Sequence, residues 1–216
     1  MRTVLRLLEL SRRFTAVLSA AHLLVSATAL GRLQHAVGTG GTISENFEVR
    51  WPAEFAPSSC PVHVRNLADM RASPECVWAW LIHATLWPGW YPNSARVRVL
   101  DGDRERLQLG ARFTWRTFGI SIASTVREFV PNQRIAWDAH GVGVHAYHAW
   151  VLEPTASGSR VLTEETQRGW LAVLGARALP NRMYNGHALW LATLSSKAAT
   201  GRPPSAGLDP TVSTPR

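Results

Sequence analysis

The stretch that decides the fold class runs from Ala111 to Arg168: ARFTWRTFGISIASTVREFVPNQRIAWDAHGVGVHAYHAWVLEPTASGSRVLTEETQR. Apolar or aromatic residues alternate with polar ones through much of it, which is typical of β-strands with one buried face. Residues that favour tight turns interrupt this alternation. The interruptions lie at Gly119, Pro131-Asn132, Gly141, and Pro154 with Gly158. The pattern therefore predicts successive strands at 111–118, 120–130, 134–140, 144–153 and 160–168.

Helices are predicted on both sides of this stretch. Ser73 as an N-cap, Pro74 at the first helical position and Glu75 in the first turn predict a short helix over 74–81. A second helical turn is expected before Pro88. Apolar residues recur at helical spacing from Arg182 to Lys197, which predicts a long C-terminal helix.

Two further strands complete the predicted order of elements. Residues 62–67 alternate like a strand before the first helix, and residues 95–101 form another after the second. One strand, two short helices, six strands and a long helix then follow one another along the chain. This order predicts an α+β domain.

Composition excludes several classes of protein. The chain has 216 residues, a formal net charge of +8, ten Trp and two Cys. Two cysteines cannot form a disulfide-dense scaffold, and Cys60 and Cys76 are separated by a predicted strand, so both are expected to be free. Arg accounts for 22 of the 23 basic residues, and acidic residues interrupt the basic positions. Nucleic-acid binding is therefore not predicted.

The ends of the chain are expected to lie outside the domain. Residues 1–44 begin with Arg-rich sequence, continue as an apolar stretch and end in a Gly-rich linker. Residues 1–35 are compatible with a signal-like segment, a membrane-associated helix, or a start assigned too early. A cytoplasmic location is favoured over export or membrane association. Residues 45–59 are a connecting segment, 60–200 are the domain, and 201–216 are a disordered tail.

An ordered series of motifs lies within residues 60–200. The motifs are Ala72-Ser73-Pro74-Glu75-Cys76-Val77-Trp78, Trp87-Pro88-Gly89-Trp90-Tyr91-Pro92, Gly110-Ala111-Arg112-Phe113-Thr114-Trp115, Pro131-Asn132-Gln133-Arg134-Ile135-Ala136-Trp137, His148-Ala149-Trp150 and Thr163-Glu164-Glu165-Thr166. In this order they resemble the SRPBCC superfamily, the START and birch-pollen-allergen-like helix-grip domains, which include bacterial polyketide cyclase/dehydrase-type proteins. The resemblance implies a seven-stranded antiparallel sheet wrapped around the long C-terminal helix, with an apolar cavity between them.

Strand alternation predicts which side chains face this cavity. Arg134 and Asp138 are expected on the solvent side of their strand. Trp78 and Trp80 cannot share one side of a helix, so one of them is expected at the cavity mouth or on the surface. Aromatic walls would suit a hydrophobic ligand. The predicted ligand-binding residues are Trp87, Trp90, Phe113, Trp115, Trp137, Trp150, Thr163, Met183 and Trp190.

Three polar residues are candidates for catalysis. If Leu152 pairs near Val161, His148 lies opposite Glu165 on the inner face, and His187 faces them from the C-terminal helix. A carboxylate beside imidazole in a dry pocket can move protons, as enolisation, aldol closure or dehydration requires. A purely structural hydrogen-bonded pair is the alternative. No metal is predicted, because the three residues come from separated elements without a compact motif.

The sequence therefore predicts a domain that binds a polyketide-, aromatic- or lipid-like molecule and leaves open whether it catalyses cyclisation or dehydration. The main alternative is a non-enzymatic carrier or accessory protein, associated with membranes through residues 1–35. A third alternative is an interaction domain with a filled core. No cofactor is predicted, and the oligomeric state stays open.

Overall fold

The fold is an open antiparallel sheet packed against one long helix, seen in a computed structural model that describes residues 47–204. The seven strands follow the order β1-β7-β6-β5-β4-β3-β2 across the sheet. The strands are β1 (Val62–Met70), β2 (Ser94–Val99), β3 (Arg112–Thr117), β4 (Ile120–Val130), β5 (Arg134–Gly141), β6 (Val144–Thr155) and β7 (Gly158–Arg168). The helices are α1 (Pro74–Ile82), α2 (Trp170–Ala178) and α3 (Arg182–Ala198), with 3-10 helices at Ala53–Phe55, Pro57–Ser59 and Ala84–Gly89.

This architecture confirms the predicted helix-grip fold. The second short helix after β1 is a 3-10 helix, and Pro88 lies inside it. The helix α2 was not predicted. No helix within residues 47–204 combines the length and the apolar character that a membrane crossing would need.

Tight turns hold the central strands in register. Between β3 and β4 the chain turns through Phe118 and Gly119, which have φ values of 47° and 79°. Two consecutive positive φ values suit the right-handed twist of a two-residue hairpin, and glycine adopts this backbone without steric cost. Between β6 and β7 the register pairs Leu152 with Val161, as the sequence predicts.

The outer face of the sheet is covered, which corrects the prediction for Arg134 and Asp138. Their relative exposures are 5% and 8%. Arg134 donates from Nη2 to the Glu48 carbonyl at 2.6 Å and from Nε to Glu128 Oε1 at 2.7 Å. The Asp138 carboxylate accepts a hydrogen bond from Arg127 Nε at 2.6 Å. Strand alternation assigned these side chains to the correct face, but that face is not open to solvent.

Residues 47–60 provide the cover. Phe55 stacks on Tyr147 of β6, with ring centroids 5.7 Å apart. Phe47 packs with Val151 and Leu162 in a second small apolar cluster. A sheet covered on both faces is more protected from solvent than an alternating hydrophobic pattern alone implies.

Trp78 and Trp80 are both buried, at 5% and 7% exposure. The expectation that one of them lies at the surface is therefore wrong. Trp78 packs edge-on against Phe129 of β4. Trp80 points to the opposite side of α1, where its Nε1 donates to the Gly201 carbonyl at 2.7 Å. The chain beyond α3 therefore covers the side of α1 that the sequence left exposed.

Candidate functional site

A cavity of about 120 Å³ lies between the inner face of the sheet and α3. Aromatic side chains of the sheet and of α3 form much of its wall, and α2 lies along one side. A cavity with mostly apolar walls and a few polar groups is the usual form of a small-molecule site. Its lining includes Tyr91, Trp115, Trp137, Leu171, Ala176, Met183 and Trp190.

Trp190 of α3 is the centre of the aromatic wall. It is 1% exposed, and its ring stacks on Tyr91 with centroids 4.4 Å apart and planes 14° apart. Trp87 and Trp150 meet it edge-on at 5.2 and 5.1 Å. Offset stacking and edge-to-face contact are the favoured geometries for aromatic rings, so this packing holds α3 firmly on the sheet. Burial also raises the pKa of the Tyr91 hydroxyl, which therefore stays protonated.

His148, Glu165 and His187 form a buried polar cluster on the cavity wall, which we call the polar trio. His148 on β6 and Glu165 on β7 are directly paired across the two strands, as the sequence predicts. Glu165 Oε2 lies 3.2 Å from His148 Nδ1 and 3.2 Å from His187 Nε2. The other carboxylate oxygen accepts a hydrogen bond from Gln167 Nε2 at 2.6 Å.

The electrostatics of the polar trio favour an ionised carboxylate between two imidazoles. Burial opposes the charge of Glu165, but its polar neighbours, the hydrogen-bond donors of His187 and Gln167 among them, outweigh it and lower its pKa. Burial lowers the pKa of His148 to about 3, so this imidazole is neutral near pH 7. An ionised carboxylate only accepts hydrogen bonds, so both imidazole nitrogens that face Glu165 carry the protons.

The other ring nitrogens of the two imidazoles differ in their partners. With its proton on Nδ1, His148 accepts at Nε2 the hydrogen bond from Thr163 Oγ1, at 2.7 Å. His187 faces Glu165 with Nε2, and its Nδ1 is buried without a hydrogen-bond partner among the described residues. Away from the polar trio, His83 Nδ1 is also buried without one. Within the described part of the polar trio, His187 Nδ1 is therefore the buried nitrogen that has no partner.

The polar trio offers three ligand atoms within 4.8 Å of one another, but its geometry does not fit a metal ion. The His148 and His187 rings are stacked with centroids 4.7 Å apart and planes 13° apart. Imidazole binds a metal through a lone pair in the ring plane, and the two lone pairs must converge on the ion. Nearly parallel stacked rings direct these lone pairs along separate planes.

The predicted ligand-binding residues fall into two groups. Trp115, Trp137, Met183 and Trp190 line the cavity together with the polar trio. The remaining five lie behind this wall: Trp87, Trp90, Phe113, Trp150 and Thr163 are buried but do not line the cavity. Alternation identifies the inner face of a strand, but it does not distinguish a side chain at the cavity from one in the packed core beside it.

Sequence reasoning missed the contribution of α2 and its neighbours to the cavity. Leu171, Gly175 and Ala176 of α2 line it, as do Phe118 and Arg182 at its rim. Arg182 donates from Nη2 to the Phe118 carbonyl at 2.9 Å, and partial burial of this otherwise exposed side chain lowers its pKa. The short apolar run after β7 was the available signal for α2, but its N-cap residue is Gly169, which has no side chain to cap the helix.

The fold and the cavity together define a class of protein, a helix-grip domain in which a sheet and a long helix enclose a small apolar cavity. A family model described as polyketide cyclase / dehydrase and lipid transport matches residues 61–192. The chain belongs to this family. A search of curated proteins gives no match.

Solved structures share the fold over the same region. A hypothetical protein of Helicobacter pylori, jhp0584, is 29% identical, with a TM-score of 0.66 over 76% of this chain and 99% of its own. The protein TTHA0849 of Thermus thermophilus is 19% identical, with a TM-score of 0.52 over 64% of this chain and 98% of its own. The di-domain ARO/CYC protein StfQ of the steffimycin biosynthetic pathway is 16% identical, with a TM-score of 0.54 over 64% of this chain and 51% of its own.

Proposed function

We propose that the protein binds a hydrophobic small molecule, polyketide-, aromatic- or lipid-like, in the cavity beside the polar trio. The observation that carries this proposal is a buried carboxylate, 3.2 Å from each of two imidazole nitrogens, on the wall of an otherwise largely apolar cavity. Such a wall provides stacking surface for a ligand and one polar point that orients it.

The volume of the cavity limits the size of the ligand that it can hold. An engineered apolar cavity of about 150 Å³ binds benzene, and the volume here is about 120 Å³. A single aromatic ring or a short chain therefore fits the cavity as it stands. A ligand with fused rings requires α2 to move outward, because α2 forms one side of the cavity.

The catalytic form of the proposal is proton abstraction next to a ketone, the first step of aldol cyclisation. His187 Nδ1 accepts the proton from the α-carbon, and the electron pair of that C–H bond forms the enolate. Glu165 holds the imidazole in the required tautomer and stabilises the imidazolium that results, as the carboxylate does in a catalytic triad. His148, with Thr163 behind it, keeps Glu165 in place.

The alternative is a carrier without catalysis. It is favoured by one observation: the Glu165 and His148 side chains already have hydrogen-bond partners within the protein, Gln167 and His187 for Glu165 and Thr163 for His148. A cluster whose polar groups are already hydrogen-bonded can have a purely structural role, which here is to position α3 on the sheet. The alternative predicts binding that survives removal of the carboxylate.

A fluorescence titration tests ligand binding. The probes are acetophenone, 2-acetylnaphthalene and decanoic acid, and the signal is quenching of Trp190 and its aromatic neighbours. Ala176→Phe fills part of the cavity and should weaken acetophenone binding about tenfold or more, whereas Ala178→Phe, on the exposed side of the same helix, should leave it unchanged. Flat titrations with all three probes would refute the proposal.

Hydrogen–deuterium exchange tests catalysis separately. In D2O the α-protons of acetophenone exchange when a base removes them, and NMR follows their loss. His187→Gln keeps a donor toward Glu165 but removes the base, and it should slow protein-catalysed exchange about a hundredfold. Binding by this variant should remain. If the unaltered protein exchanges acetophenone no faster than free imidazole, catalysis is refuted and the carrier alternative stands.

A further inference from the structure

The outer side of α2 exposes large apolar side chains. Trp170 is 64% exposed, Leu174 56% and Leu179, directly after the helix, 49%. Val142, at the tip of the β5–β6 hairpin, is 76% exposed. The hairpin and the helix are joined, because Leu171 N donates to the Gly143 carbonyl at 3.0 Å. We call these four exposed residues, Val142, Trp170, Leu174 and Leu179, the α2 patch.

Positive charge accompanies the α2 patch. Arg177 lies on α2 itself and Arg182 begins α3, and both are exposed. The sequence contains no Asp or Glu from residue 166 to residue 204. The β5–β6 hairpin, 139–148, also contains none. The α2 patch is therefore accompanied by two exposed arginines, and the helices and the hairpin that form it contribute no acidic side chain.

The α2 patch lies directly over the cavity. The opposite side of the same helix contributes Leu171, Gly175 and Ala176 to the cavity wall. Ala172 is the one residue of α2 that is buried, so little packing ties the helix to the sheet. A surface that attaches to the outer side of α2 would contact the element that separates the cavity from its surroundings.

We propose that the α2 patch docks on an anionic lipid surface. Trp and Leu insert into the boundary between headgroups and acyl chains, and Arg is attracted to anionic headgroups. A second copy of the chain is the other candidate occupant, but two such patches would bring like charges together. The proposal does not depend on the polar trio or on catalysis.

A fluorescent label tests the docking geometry on the full chain. Both native cysteines are replaced (Cys60→Ser, Cys76→Ser), and an environment-sensitive nitrobenzoxadiazole dye is attached to Leu174→Cys. The matched control carries the dye on Leu109→Cys. Leu109 is 64% exposed and lies in the β2–β3 connection, at the end of β3 opposite to its turn into β4. The probes are vesicles of phosphatidylcholine with 30% phosphatidylglycerol and vesicles of phosphatidylcholine alone.

The dye at position 174 should brighten several-fold and shift to the blue with anionic vesicles, and the dye at position 109 should not. Arg177→Gln should weaken binding about fivefold, because one basic residue near such a surface contributes about 1 kcal/mol. A dye at position 174 that neither brightens nor shifts with anionic vesicles would overturn the proposal. This holds even if the protein sediments with the vesicles, because the contact would then be made elsewhere, for example through residues 1–35. Blue shift without vesicles, accompanied by dimers in light scattering, would also overturn it.

Discussion

Lowering the pH from 7 to 5 should destabilise the protein, and His148 should account for a defined part of the loss. The pKa of His148 falls from an ordinary value of 6.5 to about 3 because the side chain is buried. The unfolded chain therefore binds a proton below pH 6.5 that the folded protein excludes. The stabilising contribution is complete above pH 6.5 and decreases as the pH falls toward 3.

The magnitude follows from proton linkage. At pH 5 unfolding takes up nearly one proton at His148, which corresponds to a slope of about 1.4 kcal/mol per pH unit. Integrated from pH 7 to pH 5, the free energy of unfolding should fall by about 2 kcal/mol from this residue alone. His83 adds a loss of the same sign, since burial also lowers its pKa. Glu165 contributes little in this window, because its pKa is lowered from 4.5 and it stays ionised in both states.

Urea unfolding monitored by circular dichroism at several pH values measures the effect. His148→Asn places an amide nitrogen near the position of Nδ1 and retains a donor to Glu165, but it cannot take up a proton. Its stability should fall about 2 kcal/mol less between pH 7 and pH 5 than that of the unaltered protein. His145→Gln, at an exposed position of the β5–β6 hairpin, serves as the control. The same pH dependence in His148→Asn and in the unaltered protein would refute the assignment of a neutral, buried imidazole.

Two other substitutions test the packing. Trp190→Ala removes the ring at the centre of the aromatic wall and should lower the free energy of unfolding by about 3–5 kcal/mol in urea titrations; a loss below about 1 kcal/mol would contradict that central role. Arg134→Met breaks the buried contacts to Glu48 and Glu128 and should speed proteolytic cleavage within residues 47–60. Arg50→Met removes only an exposed ion pair with Glu128 and should leave cleavage unchanged; equal cleavage in the two variants would contradict the proposed anchoring.

Local sequence signals predicted the strands and the pairing at the polar trio, because a short turn determines the register of the two strands that it joins. Pro154 and Gly158 limit how β6 and β7 can be joined, and Leu152 then pairs with Val161. Counting along both strands from that pair places His148 opposite Glu165. The position of His187 depends in addition on how α3 rotates about its axis, and the apolar stripe of that helix was sufficient to predict it.

The sequence was least informative where packing between distant segments determines the position of a side chain. Alternation could not reveal that residues 47–60 cover the outer face, so Arg134 and Asp138 were expected in solvent. The helix α2 was missed because it is short, uncapped and largely exposed, and its side of the cavity was missed with it. The depth of each Trp behind the cavity wall depends on the whole aromatic cluster, so Trp87 and Trp150 were not distinguished from Trp115 and Trp137.

A crystal structure with 4-bromoacetophenone would show whether the cavity binds a ligand, because anomalous scattering from bromine locates the ligand independently of its shape. We expect a single strong bromine peak inside the cavity, between α2 and Trp190, with the acetyl group beside His187. Bromine peaks confined to the protein surface, with the cavity unchanged, would contradict the claim that this cavity is a ligand-binding site.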